Sequence, residues 1–245
     1  MSSANSVILR WSKSYSLFKR IFLYYNLYIR NLKFFFKKSQ SQFGEDIKIS
    51  ELFSKSKKGT YLDLGCFHPI RQNNTYLLYK LGWSGINIDL NPLSIDLFNV
   101  ARPNDINICA AVSSRKSTKT LYFDHALSSV NTISKRHLIF LRRALSLKKF
   151  QKRKIKTTTF SALLKKNKIK KIDFMNIDIE DSELDVLKTI NFKDLYIKVI
   201  CIEVIDQFHT KDSKVNKNKI IDLLKKNNYT LAFRTYVNYI FIKKD

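Results

Sequence analysis

From residue 45 onward, short apolar runs alternate with longer amphipathic ones, and no other pattern in the chain restricts its fold as much. "TYLDLG" (60–65), "GINIDL" (85–90), "INICAAV" (106–112), "KIDFMNIDI" (171–179) and "IKVICIEVI" (197–205) read as strands. Several are apolar on both faces, as a sheet covered on both sides requires. Between them, "NTYLLYKLG", "PLSIDLFNV", "FSALLKKN", "SELDVLKTI" and "NKIIDLLKKNN" have helical spacing. Such alternation implies βαβ units and a mainly parallel sheet. The tail "YTLAFRTYVNYIFIKK" reads instead as two strands joined by a tight turn near Val237-Asn238, an antiparallel hairpin that closes the sheet.

The five glycines, Gly44, Gly59, Gly65, Gly82 and Gly85, all fall within residues 44–85, so their placement is informative. In "YLDLGCFHPI" a strand ends in D-x-G and runs into a helix. Such a turn lets backbone approach a ligand closely, while Asp63 orients the turn or receives a ligand ammonium. Twenty-six residues later Asp89 ends the next apolar strand, where an acid can accept both ribose hydroxyls of an adenosine cofactor. There is no G-x-G-x-x-G for a pyrophosphate and no G-x-x-x-x-G-K-[ST] for a triphosphate, so NAD and ATP lose their main physical support. S-adenosylmethionine carries no phosphate, and one close-approach glycine suffices for it.

"SQFGEDIKISELF", "YLDLGCFHPIRQNNTYLLYKLGWSGINIDLNP", "DINICAAVSS", "KIDFMNIDIEDSELDVLKTINF" and "VICIEV" together resemble the FkbM-type S-adenosylmethionine-dependent methyltransferases over about residues 41–205, in the expected order. "NNTYLLYKLGWSGINID" is the most specific piece. The resemblance implies an α/β fold of the class I methyltransferase, Rossmann-like kind: a mainly parallel seven-stranded sheet with a C-terminal antiparallel hairpin. It also implies O-methylation of a hydroxyl, commonly on a sugar. Carried over, Asp63 and Gly65 form the cofactor turn, Asp89 holds the ribose, and Ala111 lies near the adenine after the third strand. Two positions depart from the family pattern. His68-Pro69 replaces the glycine-containing end of the first motif, and Asp181 stands where glycine usually follows "DxE", which leaves the shape of the acceptor-side loop open.

Methyl transfer to oxygen needs donor and acceptor in line and help in removing the hydroxyl proton. Asp178 and Glu180 end the fourth main strand on the ligand-binding edge of the sheet, so either carboxylate can act as base or orient the acceptor. The same "EDSELD" is also a helix start, in which Asp181 and Asp185 are expected to cap. His68 follows the cofactor turn and is the third candidate for a catalytic role, and His209 could also face the acceptor. The four histidines have no ligand spacing, so no metal site is expected. "HALSSVNTIS" (125–134) is polar enough for an acceptor-binding loop.

Forty-five Lys and Arg against twenty Asp and Glu give a net charge of +25, which calls for an anionic partner unless the bias of a Lys-, Asn- and Ile-rich composition explains it. Residues 1–44 contain no acid but many Lys, Arg and aromatic residues, and form a zone apart from a methyltransferase domain at 45–245. The longest uncharged run, "IFLYYNLYI" (21–29), is too short to span a bilayer. The zone therefore reads either as a basic amphipathic helix at an anionic membrane surface or as a helix packed on the domain or in a dimer. A second basic zone, 135–156, carries ten Lys or Arg and reads as a solvated helix between strands.

Cys66, Cys109 and Cys201 are widely spaced and read as reduced thiols, and no cleavable signal is evident, so a cytoplasmic protein, peripheral at most to the inner membrane face, is expected. Three functions compete: O-methylation of a saccharide or other hydroxyl-bearing small molecule; RNA methylation, which the charge suits but no RNA-binding module supports; and a non-catalytic basic binding protein that keeps the fold.

Overall fold

The computed structural model describes residues 15–56, 58–144, 149–204 and 211–244. Helix α1 (Leu17–Tyr24) starts at Ser16, whose Oγ accepts from Lys19 N, and continues through a π-helical turn (Tyr25–Ile29) to the short α2 (Leu32–Phe35). After α3 (Glu45–Leu52) the expected alternation begins: β1 (Thr60–Leu64), α4 (Tyr76–Lys80), β2 (Ser84–Asp89), α5 (Pro92–Ala101) and β3 (Ile106–Cys109). Helix α5 has Pro92 in its first turn and Asn91 as N-cap, accepting from Leu93 N. The chain then runs through β4 (Ala111–Val112), β5 (Thr118–Phe123), α6 (Lys135–Ala144) and β6 (Gln151–Thr158). It ends with α7 (Phe160–Lys166), β7 (Lys171–Ile177), α8 (Glu183–Leu187), β8 (Tyr196–Glu203), α9 (Lys211–Lys226) and the hairpin β9 (Tyr229–Arg234) and β10 (Asn238–Lys243).

Seven strands form one sheet in the order β3-β2-β1-β7-β8-β10-β9, and β10 alone runs against the rest. Chain order reverses between β1 and β7, so a crevice opens at their C-terminal ends. Side chains alternate across the sheet. Leu62, Leu64, Ile86, Ile88, Met175 and Ile177 pack into one apolar layer, while Tyr61, Phe174 and Val199 join Ile49 and Trp83 in the other. Both layers are apolar because helices cover both faces, as the double-sided hydrophobicity of the strands requires.

Two expectations are corrected. "INICAAV" is not one strand: the chain turns at Ala110, whose N–H donates to Asp89 O at 2.8 Å, and β4 leaves the main sheet. It pairs with β6, which also pairs antiparallel with β5, in a second, three-stranded sheet. The second basic zone is therefore not a single helix. Leu138 and Leu141 bury the inner face of α6, but the β-branched "KIKTT" end forms a strand because β4 and β5 offer it partners.

The described part of the N-terminal zone packs on the domain. Leu23 and Leu27 bury against Leu97, Val100 and Leu127, and Tyr15 Oη donates to Asp96 at 2.7 Å beside a Lys19–Asp96 ion pair. Further on, the Asp46 carboxylate accepts from the hydroxyls of Ser39 and Ser41 and from the Gln40 amide.

Candidate active site

The turn after β1 sits against the end of β7. Gly65 has φ +83°, a left-handed conformation, and a Cβ built on it would lie 1.6 Å from the Asp178 carbonyl oxygen. The neighbouring backbone is fixed by Gly65 N→Ile88 O at 2.8 Å and Asp178 N→Leu64 O at 2.9 Å. Only glycine fits here.

Asp63, fully buried, has both carboxylate oxygens engaged: Oδ1 accepts from Asn176 Nδ2 at 2.9 Å, and Oδ2 from Asn73 Nδ2 and Thr75 Oγ1, each at 3.0 Å. Burial raises its pKa, against the pull of these bonds and of Arg102. Arg102 is itself fully buried; it donates to Thr75 Oγ1 and Asn73 Oδ1 at 2.8 Å and lies over the rings of Tyr79 and Phe98. Of the two roles open to Asp63, orienting the turn is therefore the one its bonds serve. Nothing in the local sequence marks Arg102 as the centre of this network, because its partners lie 27 to 41 residues away.

Asp89 stands at the end of β2. Its Oδ2 accepts from Phe67 N at 2.8 Å and its Oδ1 from Asn91 N at 2.7 Å, which leaves each oxygen a further lone pair toward the cavity. Burial pushes its pKa up to about 6, with the two amides pulling the other way. Ile88, Leu90, Ala110 and Val112 form an apolar wall beside it. Ala111 lies between the last two in β4, buried and paired with Thr157, so the wall here is made by its neighbours.

The cavity holds about 320 Å³, and the acids that follow β7 and end β8 line its other side. Asp178 and Glu203 are packed closely enough to share a proton. Burial raises both pKa values well above the ordinary carboxylate range, and the charges of Glu180 and Glu183 add to it; Asp178 pushes Glu203 up further, whereas the hydrogen bond between the two pulls Asp178 the other way. Glu203 Oε2 has no hydrogen-bond partner. Glu183 accepts from Ile179 N at 2.9 Å and Asp181 N at 3.3 Å, and its burial pushes its pKa up to about 7. Oxygens of Asp178, Glu183 and Glu203 all lie within 4.8 Å of one another. The spacing of the histidines gave no hint of this trio. An all-oxygen set suits a hard divalent cation; without one, shared protons relieve the repulsion.

Glu180 and Asp181 both have positive φ, +56° and +77°. Asp181 is not the expected cap: its carboxylate accepts from Ser134 Oγ at 2.7 Å and from Arg136 Nε at 2.9 Å, tying the loop to α6. Asp185 is the exposed residue of the otherwise buried first turn of α8. Glu180 Oε2 lies 2.8 Å from Nε2 of buried His137, which lines the cavity with Phe140. Burial disfavours the imidazolium, but Glu180, Asp181 and Glu183 outweigh it and the His137 pKa rises. His137 escaped the sequence reading because it sits in a basic run; its one signal was its i,i+4 spacing to the buried Leu141. The 125–134 loop completes the wall with Ser128, Ser129, Asn131 and Ile133.

His68 is turned away from the cavity. Its Nδ1 accepts from Ile70 N at 3.1 Å and Arg71 N at 3.0 Å, which leaves the proton on Nε2, 3.2 Å from Asn26 O. Burial, with Arg71, Arg102 and Arg30 nearby, drives its pKa down to about 3, so it stays neutral and ties the cofactor-side loop to the N-terminal segment. His209 lies outside the described residues.

Sheet order, glycine turn and strand-end acid define a class I S-adenosylmethionine-dependent methyltransferase. Residues 63–231 match the family model described as the methyltransferase FkbM domain, and the chain belongs to that family. Among curated proteins none matches. Solved structures with a similar outline include a TehB-like S-adenosylmethionine-dependent methyltransferase from Corynebacterium glutamicum (15% identity, 90% of this chain and 96% of that one, TM-score 0.45). An O-methyltransferase from Bacillus cereus in complex with SAH is 14% identical (91% and 90%, TM-score 0.45). The fibrillarin pre-rRNA processing protein of Methanococcus jannaschii is also 14% identical (82% and 76%, TM-score 0.42).

The cavity residues fit the family's cofactor. The backbone from Gly65 to Phe67 lines the cavity, Asp89 keeps lone pairs for two hydroxyls, and the wall beside it is apolar. If Asp89 holds the ribose, Asp89→Ala weakens S-adenosylmethionine binding by about 1.5–3 kcal/mol, roughly ten- to a hundredfold. The wild-type affinity should also rise with pH through about 6, as the carboxylate ionises, and lose that dependence in the variant. Calorimetry across pH 5 to 8 on the folded variant checks both, and unchanged binding removes Asp89 from the site.

Proposed function

We propose that the protein transfers the methyl group of S-adenosylmethionine to a hydroxyl of a sugar, glycan precursor or related small molecule. One observation carries this reading. In a chain of net charge +25, the described residues lining the cavity include Asp63, Asp89, Asp178, Glu180 and Glu203 but no Lys or Arg. Gln42, Gln72, Asn74, Asn131 and Asn176 are among the neutral polar groups there. Amides and carboxylates are the donors and acceptors that a neutral polyhydroxyl ligand pairs with, whereas a phosphate-bearing nucleic acid would meet like charge.

Bound S-adenosylmethionine supplies an electrophilic methyl on a cationic sulfur. Asp178, beside the Gly65 turn and next to Glu203, is the proposed proton acceptor: with one proton between them the two carboxyls carry one negative charge, and the acceptor hydroxyl passes its proton to that pair. Glu180 and His137, beside that pair, orient the acceptor. A buried acid pair is costlier than apolar packing, so its presence also argues against a protein that merely keeps the fold.

The test is methyl-labelled S-adenosylmethionine offered with monosaccharides, nucleotide sugars, a lipid extract or RNA. Label in a saccharide-bearing fraction is the expected result. Label in RNA overturns the acceptor class, and cofactor binding without transfer to any of them overturns catalysis.

A further inference from the structure

The N-terminal segment has two apolar faces, and among the described residues only one of them is buried against the domain. Leu23, Leu27 and Phe34 are buried, as are Asn26 and Asn31, which meet the His68 loop. The other face recurs at steps of three or four residues as Phe18, Ile21, Tyr25, Ile29, Leu32 and Phe36, all exposed, with Phe18 at 84% and Phe36 at 82%. Six cations, Lys19, Arg20, Arg30, Lys33, Lys37 and Lys38, punctuate the same stretch, and no acid occurs anywhere in residues 1–44.

We propose that this face docks the protein on an anionic lipid bilayer, lying in the interface without crossing it. No helix among the described residues is long and apolar enough to span one. A bilayer supplies hydrocarbon for the phenylalanines and aliphatic residues, a headgroup zone for Tyr24 and Tyr25, and negative charge for the flanking cations. A second copy of this chain would set one acid-free basic stretch against another. Nucleic acid would satisfy the cations but leave the aliphatic row in water. The segment also touches the loop after β1 through His68, and that loop lines the cavity with Cys66, Phe67 and Gln72. The segment that carries the bound surface is therefore joined, through its buried face, to the loop on the cofactor side of the site.

Flotation of the full chain with phosphatidylcholine vesicles, with and without about a third phosphatidylglycerol, tests this. Binding is expected to the anionic vesicles at low salt and to fall at least tenfold in 0.5 M NaCl, because exposed charges are screened. The exposed triple substitution F18S/I29S/F36S should lower partitioning at least tenfold while melting temperature and S-adenosylmethionine affinity stay at wild-type values. Those two readings keep the result independent of whether the acceptor proposal holds. The inference is overturned if the wild type ignores anionic vesicles at low salt, if the triple variant binds them as well as wild type, or if sedimentation shows a dimer that the triple substitution dissolves with no vesicle binding in either protein.

Discussion

Asp178→Asn is expected to lower the rate of methyl transfer by about 10² to 10⁴-fold, the usual worth of a general base, with little change in cofactor affinity. Asparagine keeps the size of the side chain and can still hold an acceptor hydroxyl, but it cannot take the proton. Folding should not suffer. The substitution removes a like-charge neighbour from buried Glu203, whose own pKa then falls toward the ordinary range, so the melting temperature should hold or rise at neutral pH. The wild-type rate should climb with pH as the raised pKa of the pair is passed, since the acids must release a proton before they can accept one. A purely structural Asp178 predicts the reverse: a lower melting temperature and nearly full turnover in the cold. Turnover, melting and the pH profile on one variant decide between the two.

Gly65→Ala is expected to abolish S-adenosylmethionine binding and to destabilise the fold. Alanine at φ +83° costs about 1–2 kcal/mol by itself. The larger penalty is the methyl group, which would have to share space with the Asp178 carbonyl 1.6 Å away. Neither side can yield cheaply, because β1 and β7 are paired in the middle of the sheet, from Tyr61↔Phe174 to Leu64↔Ile177. The strands must part there, which opens the cofactor turn and moves Asp178 together. Thermal melting and calorimetry check this, and a variant with wild-type melting and affinity would show that the turn tolerates a side chain against Asp178.

Much of this was legible in the sequence, for a physical reason. The strands β1, β2, β7 and β8 are continuous apolar runs because their faces are both covered, and such runs announce themselves without reference to partners. The glycine turn and strand-end acid were equally local. What escaped depends on contacts distant in sequence. Nothing in "INICAAV" reveals that β6, some 45 residues later, will pull Ala111 and Val112 out of the sheet. The Arg102 network and the approach of His137 to Glu180 are of the same kind, each assembled from loops that meet only when the sheet has formed. His68 shows the opposite difficulty. Its neighbourhood in sequence is the cofactor turn, but Phe67 at φ +50° turns the chain, and the imidazole points to the N-terminal segment instead.

The bend at Asp181 ties the shape of the active-site loop to another element. A left-handed backbone is cheap for glycine and strained for aspartate, and here the twist is held from outside, by Ser134 and by Arg136, the latter 45 positions earlier. The loop beside Glu180 therefore takes its shape from side chains at the start of α6 and not from the freedom of its own backbone, so a shift of α6 would carry the acceptor side of the site with it.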